Sequence, residues 1–456
     1  MESKIMSWGT RSSDKLFPTF TDLPALAQDG AMVIERGEGP YVIDTAGKRY
    51  LECNSGLWNM TLGFSEARLI EAAKRQYESL PGYHTFFGRS SKPTVELAER
   101  ILDLAPAPMS RAFFTNSGSE ANESVVKLLW LMWRGQGEPK RRKFITRRNA
   151  YHGATVMASS LTGKDYVQAF GLPQPEVVTV GCPHAWRFAQ PGEDDDSFSA
   201  RLARELDETI QAEGPDTIAG FFAEPVMGAG GVLIPPATYF GRIQKVLKAY
   251  DIPLICDEVI CGFGRTGNLW GAETVGCHPD ILVASKSLSA GYFPMGAVLL
   301  SKDIDDRLTS ACKAWDEFPH GFTAGGHPVG CAVSLEAIRI IVEEGVIEHV
   351  RDISPQFVSH LNTLGHHPLI GEARGVGLMG ALEIVSDKQL KTPFASDLRI
   401  GEQIAQRARQ KGLIVRPLGS SIVLAPPFVV SREQVDEMFS IISDILNEVG
   451  RITTGK

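Results

Sequence analysis

Residues 252–264 read IPLICDEVICGFG and residues 279–291 read PDILVASKSLSAG. In each, a short, wholly apolar run ends abruptly on charged or small residues: Asp257-Glu258 in the first, Ser285-Lys286 in the second. A strand covered on one face alternates apolar with polar, whereas one covered on both faces is apolar throughout. The same rhythm of apolar strand, small-residue turn and helix recurs in RAFFTNSGSEANESVVKLLWLMW (111–133) and in TIAGFFAEPV (217–226). This repetition predicts an α/β fold with a mostly parallel central sheet packed between helices.

Away from this centre the rhythm changes. Upstream, AMVIERGEGPYVIDTAGKRYLE (31–52) reads as a small hairpin sheet, and residues 67–80 and 93–106 have helical spacing. Downstream of Gly330, residues 334–345 and 346–364 read as helices, and 374–385 and 412–430 as strands. Ser431 and Gln434 form a capping-box pair ahead of a final helix carrying Val435, Met438, Phe439, Ile442, Ile445 and Leu446. The expected organisation is a large domain over 66–330 and a smaller α+β domain built from both ends, 1–65 and 331–456.

Composition bounds the function. The 456 residues are 43% apolar and 22% charged, an ordinary globular balance. The net charge of -8 disfavours a general nucleic-acid binder. No apolar run approaches the roughly 20 residues needed to cross a bilayer, and Glu2, Lys4 and Arg11 interrupt any signal-peptide core. Seven cysteines, none in a C-x-x-C pair, fit a reduced, cytoplasmic chain.

Several motifs mislead. Gly262, Gly264 and Gly267 match G-x-G-x-x-G after a strand, but two glycines and a proline follow where a dinucleotide site needs a helix. The Gly-Lys pairs at 47–48 and 163–164 lack the Ser or Thr of a phosphate loop. The basic run at 140–143 reads as a solvated face. His366-His367 and Cys182-x-His184 have no accompanying metal-ligand spacing, so no metal is expected.

Three features remain at the carboxyl ends of expected strands, where open α/β sheets bind ligands. Ser117, Gly118 and Ser119 open a helix and offer amides and hydroxyls to a phosphate, or else simply cap it. Asp257 sits at the tip of a buried strand, where a carboxylate demands a cation or hydrogen bonds. Lys286 ends the next such strand, a setting that lowers a lysine pKa; a plain ion pair with Asp257 is the simpler reading. Together they ask for a ligand with a phosphate, a protonatable ring nitrogen and an aldehyde, which is the layout of pyridoxal 5'-phosphate. Tyr151, in NAYHG, is placed to stack on such a ring.

The chain resembles the class III pyridoxal-phosphate aminotransferases, and within them the omega-transaminases of the amine:pyruvate group. The likeness runs through FTDLPAL (20–26), SGLWNM (55–60), SGSEAN (117–122), AYHG (150–153), FFAEPVMGAGG (221–231), DEVICGFGRTG (257–267), SKSLSAGYFPMGAV (285–298), HGFTAGGHP (320–328), RGVGLMGALE (374–383) and RPLG (416–419). It implies a fold type I transferase that works as a homodimer with shared active sites. Lys286 is then the Schiff-base lysine and proton shuttle, Asp257 pairs with the ring nitrogen, and Val259 packs on the ring opposite Tyr151. Glu224 lies on the ring-hydroxyl side, and Thr323 of the partner joins Gly118 and Ser119 at the phosphate. Phe20, Trp58 and Ile260, with Phe86, Phe87 and Arg89 across the dimer, form the substrate pocket. Arg416, in a loop marked by Pro417 and Gly419, meets a substrate carboxylate. The implied activity is ping-pong transfer of an amino group from a primary amine or omega-amino acid to a keto acid such as pyruvate. A racemase, mutase or decarboxylase on the same fold is the alternative.

Overall fold

The computed structural model describes residues 7–454, so residues 1–6 and 455–456 of the two expected small-domain segments lie outside the described residues. Along the strand Ile281–Ala284, Ile281 and Val283 pack into one buried cluster while Leu282 and Ala284 pack into another. The strand Gly296–Ser301 divides the same way, with Val298 and Leu300 on one face and Ala297 and Leu299 on the other. This two-sided burial is why these runs are apolar throughout. Each fully buried aliphatic side chain contributes about 1.5–3 kcal/mol.

The strands belong to a seven-stranded sheet ordered Met109–Thr115, Gly296–Ser301, Ile281–Ala284, Leu254–Asp257, Ile218–Ala223, Lys143–Arg147, Val177–Val180. Only Gly296–Ser301 runs antiparallel to its neighbours. One face is covered by helix Gly118–Gly135, which buries Val125, Leu129, Met132 and Trp133. The parallel register sets the site: Ala223 lies opposite Cys256, and Asp257 opposite Val283. The residues that follow, Glu224 and Lys286, therefore emerge at the same edge as Asp257.

Two smaller sheets flank this core. Ile34–Glu38, Tyr41–Asp44 and Arg49–Glu52 form the expected meander, extended by the parallel strand Leu413–Ile414 from the far end of the chain. Ile370–Val376, Met379–Ile384, Ser421–Leu424 and Arg416–Leu418 form an antiparallel sheet. Leu51 and Cys53 share one buried cluster with helices Val346–Leu364, Ile400–Gln410 and Arg432–Thr454, so both chain ends build one core. The final helix starts as its sequence dictates: Ser431 N–H donates to Gln434 Oε1 at 2.8 Å, and Gln434 N–H to Ser431 Oγ at 3.2 Å.

One expected boundary falls inside a helix, and one expectation needs correction. A break at 330 would cut helix Pro328–Glu343, whose Val333, Ala337, Ile338 and Ile341 pack into the large-sheet core; the chain turns away at Glu344-Gly345. Arg416 is not in a loop. It opens the edge strand Arg416–Leu418, opposite Val423, and the turn comes at Gly419-Ser420. Pro417 signals a loop in sequence, yet proline is tolerated on an edge strand, where its missing N–H costs no ladder bond. Among the described residues no helix is long and apolar enough to cross a membrane.

Candidate active site

At the shared strand edge, a cavity of about 220 Å³ is lined by Ser117, Gly118, Ser119, Tyr151, His152, Gly153, Glu224, Asp257, Val259, Ile260, Ser285 and Lys286. Lys286 opens a 3-10 turn, Lys286–Ser289, with φ of +43°, a left-handed conformation that costs a non-glycine residue about 1–3 kcal/mol. Burial, partly offset by Asp257 and Glu224, lowers its amine from 10.5 to about 8. Among the described residues nothing accepts a hydrogen bond from it. A simple Asp257–Lys286 ion pair is therefore not what the strand ends were built for.

Asp257 is instead held by other donors. Asn122 Nδ2 donates to its Oδ2 at 2.8 Å, His152 Nδ1 faces the same oxygen at 2.8 Å, and Val259 N–H donates to Oδ1 at 3.0 Å. The Asn122 amide also donates to His152 O at 2.7 Å, tying helix to loop. Glu258, its sequence neighbour, turns the other way and accepts the Gly271 and Ala272 amides, and burial pushes it up to about 8. It is a helix cap.

At the opposite end of the cavity, Ser117 caps helix Gly118–Gly135 through Glu120 N–H. Among the described residues the Gly118 and Ser119 amides have no acceptor, and the dipole of an 18-residue helix points outward through them. A Cβ on Gly118 would lie 2.8 Å from Val259 Cγ2, so only glycine lets the helix come this close. Ser119 Oγ accepts from Ala154 N–H at 3.0 Å. Glu224 accepts from Tyr151 N–H and Gly228 N–H, both at 3.1 Å, and burial raises its pKa. The free amides, the Asp257 carboxylate and the Lys286 amine fit the phosphate, ring nitrogen and aldehyde of pyridoxal 5'-phosphate.

The substrate residues are less uniformly gathered. Trp58, 1% exposed, packs with Ile260, Val423 and Ala425. Arg416 is partly buried, which lowers its pKa, and Tyr151, Tyr166 and Lys286 all feel its charge. Among the described residues it has no carboxylate partner. Phe20, 80% exposed, meets Tyr166 edge-on at 5.4 Å. Phe86, Phe87, Arg89 and Thr323 do not join the Lys286 cavity. Phe86 and Phe87 line a separate cavity with Phe113 and His320, while Arg89 and Thr323 are exposed. Of the metal candidates, His184 is engaged with Glu372 at 2.7 Å.

Sequence reasoning missed Asn122 and His152. Asn122 follows Gly118 by one helical turn, a spacing that places both on the same face, and His152 adjoins Tyr151. Lys164 was also missed; it donates to Ala229 O, and burial lowers its pKa.

A family model described as Aminotransferase class-III matches residues 25–446. Gamma aminobutyrate transaminase 3, chloroplastic, of Solanum lycopersicum is 48% identical over 409 residues, spanning 89% of this chain and 79% of the relative. Vanillin aminotransferase of Capsicum chinense is 44% identical over 419 residues, 91% of each chain. Among solved structures, an aminotransferase from Vibrio fluvialis in its PMP-bound form is 53% identical with a TM-score of 0.96, covering 98% of this chain and 99% of that one. An omega-aminotransferase from Paracoccus denitrificans has the same identity and TM-score over 97% and 99%.

Proposed function

The chain belongs to the class III aminotransferases, pyridoxal-phosphate enzymes of fold type I, and on that footing we propose that it passes the amino group of a primary amine or omega-amino acid to pyruvate or a similar keto acid. Transamination runs as two half-reactions through one site. The cofactor supplies an aldehyde that captures amines and a ring that delocalises the electron pair left on the donor carbon.

Lys286 would hold the aldehyde, and as a free amine it would take the proton that the donor carbon must lose. A pKa near 8 leaves much of it neutral at mildly alkaline pH, as a base requires. Asp257 would accept a hydrogen bond from the ring nitrogen and keep it protonated, Val259 and Tyr151 would flank the ring, Glu224 fixes the Tyr151 backbone, and Ser117, Gly118 and Ser119 would take the phosphate.

The observation that carries the substrate reading is Arg416. A partly buried guanidinium with no carboxylate partner among the described residues, on a strand paired with Val423 of the apolar cluster that holds Trp58 and Ile260, suits a pocket that takes an apolar amine in one half-reaction and a charged keto acid in the next. Phe20 would extend that wall. Phe86, Phe87, Arg89 and Thr323 complete the neighbouring subunit's site in a homodimer, a reading supported by their position away from Lys286 and by Phe87 being 83% exposed. The domain division keeps its three segments, with the second break moved to Glu344-Gly345. Seven free cysteines support a reducing, cytoplasmic setting. A panel of amine donors with pyruvate, followed by alanine formation, tests the proposal. Absence of alanine with every donor, while another keto acid is aminated, would overturn the choice of acceptor.

A further inference from the structure

The glycine-rich run Gly262–Gly267 aims an arginine. Gly264 and Gly267 adopt φ of +112° and +90°, and Gly377 packs so tightly that a Cβ would lie 2.3 Å from Arg265 O. Arg265 is completely buried. Its Nη1 donates to Leu378 O at 2.9 Å and Pro426 O at 2.6 Å, its Nη2 donates to Ser55 Oγ at 3.0 Å, and its guanidinium lies 4.5 Å from the centre of the Phe428 ring. Ser55 Oγ relays the contact, donating to Ala425 O at 2.7 Å. From the other side, buried Glu52 accepts the Gly56 amide. Burial pulls Arg265 down to about 9 and pushes Glu52 up to about 8, so both sit there against their own solvation.

Between these two groups lies a strained turn. Ser55 and Trp58 have φ of +47° and +67°, left-handed values that non-glycine residues hold only where their surroundings over-determine them. The turn delivers the Trp58 ring against Ile260, Val423 and Ala425, and the backbone of Ala425 is the group to which Ser55 is tied. Arg265 thus connects three segments that meet behind one side chain of the pocket.

We propose that Arg265 is a positioning residue: through Ser55 it holds the Ser55–Trp58 turn in its strained form and so fixes the Trp58 wall that sets which amine donors fit. The inference rests on the reading of Trp58 as a substrate wall. Loss of the guanidinium lets the turn relax toward ordinary φ values and moves the indole, so the pocket loses its discrimination by size while Lys286 and Asp257 stay in place.

The test is a double-mutant cycle on selectivity. Arg265→Lys and Ser55→Ala are each made in the native chain and in Trp58→Ala. The ratio of kcat/KM for a bulky aryl amine to that for alanine is measured, with thermal midpoints alongside. The expected result is at least a fivefold change in the ratio from each variant in the native background and less than a twofold change in Trp58→Ala. Stability losses should be alike in both backgrounds. Equal ratio changes in both backgrounds, or no change in folded Ser55→Ala, would overturn the role of Arg265. Should Trp58→Ala itself leave the ratio unchanged, the failure lies with the pocket reading.

Discussion

His152 Nδ1 stands 2.8 Å from Asp257 Oδ2, with both side chains closed to solvent. Asn122 donates to the same oxygen, and Val259 N–H occupies the other. Among the described residues nothing accepts from His152 Nε2, which matches an Nδ1–H tautomer donating to the carboxylate. The carboxylate is thereby aimed by three groups drawn from a helix, a loop and the turn that follows its own strand.

Removing one of those donors should matter more than an ordinary hydrogen bond. Asn122→Ala strips a donor from a buried carboxylate, worth about 1.5–3 kcal/mol for a contact to a charged group. Activity should fall by roughly one to two orders of magnitude, while borohydride reduction and peptide mapping still find the cofactor on Lys286. Label on a different lysine would refute the assignment of Lys286.

How much of this was legible in the sequence follows from distance along the chain. Asp257 and Lys286 could be read because each ends its own apolar run, a local pattern. Asn122 and His152 reach Asp257 across 135 and 105 residues, and only the order of strands in the sheet brings them together. Arg265 was hidden differently: its glycines resembled a nucleotide loop, and only the structure shows what they aim. Arg416 was placed near the right turn, but Pro417 disguised an edge strand as a loop. The boundary at 330 falls inside helix Pro328–Glu343, whose apolar residues would suit either core, and periodicity does not say which.

Lys286 should leave a pH signature on the protein without cofactor. Its pKa is 10.5 in an unfolded chain and about 8 in the fold. Between those values the unfolded chain keeps a proton that the folded chain has released, so stability rises with pH across that window. Below about pH 8 both forms are charged and the full penalty of burial, on the order of 3 kcal/mol, is present. Cofactor-free Lys286→Met should therefore melt above the cofactor-free native chain at pH 7, with the gap closing by pH 10.5. A gap independent of pH would show that the amine is not desolvated.

Sharing of sites between subunits can be read by complementation. Lys286→Ala and Thr323→Ala chains should each be impaired alone. Mixed dimers would hold one site with Lys286 and the partner's Thr323 intact, and one site lacking both. Activity well above that of either parent after unfolding and refolding the mixture would support a shared site. Activity no higher than the parents would place each site within a single chain.

Arg416 bears on how one pocket serves two unlike substrates. Its backbone is fixed in an edge strand opposite Val423, so only the side chain is free to move. A guanidinium left in place would be poorly solvated against an aryl group. Swung inward, it gives a substrate carboxylate the bidentate contact that lysine lacks. Arg416→Ala should cost the half-reaction with pyruvate or alanine about 1.5–3 kcal/mol, roughly one to two orders of magnitude, and largely spare that with an aryl amine. Arg416→Lys should recover only part of the loss, because a point charge keeps the attraction without the planar fork. Single-turnover spectra of each half-reaction measure the two effects separately. Equal losses in both would mean that Arg416 supports the hairpin and does not select the substrate.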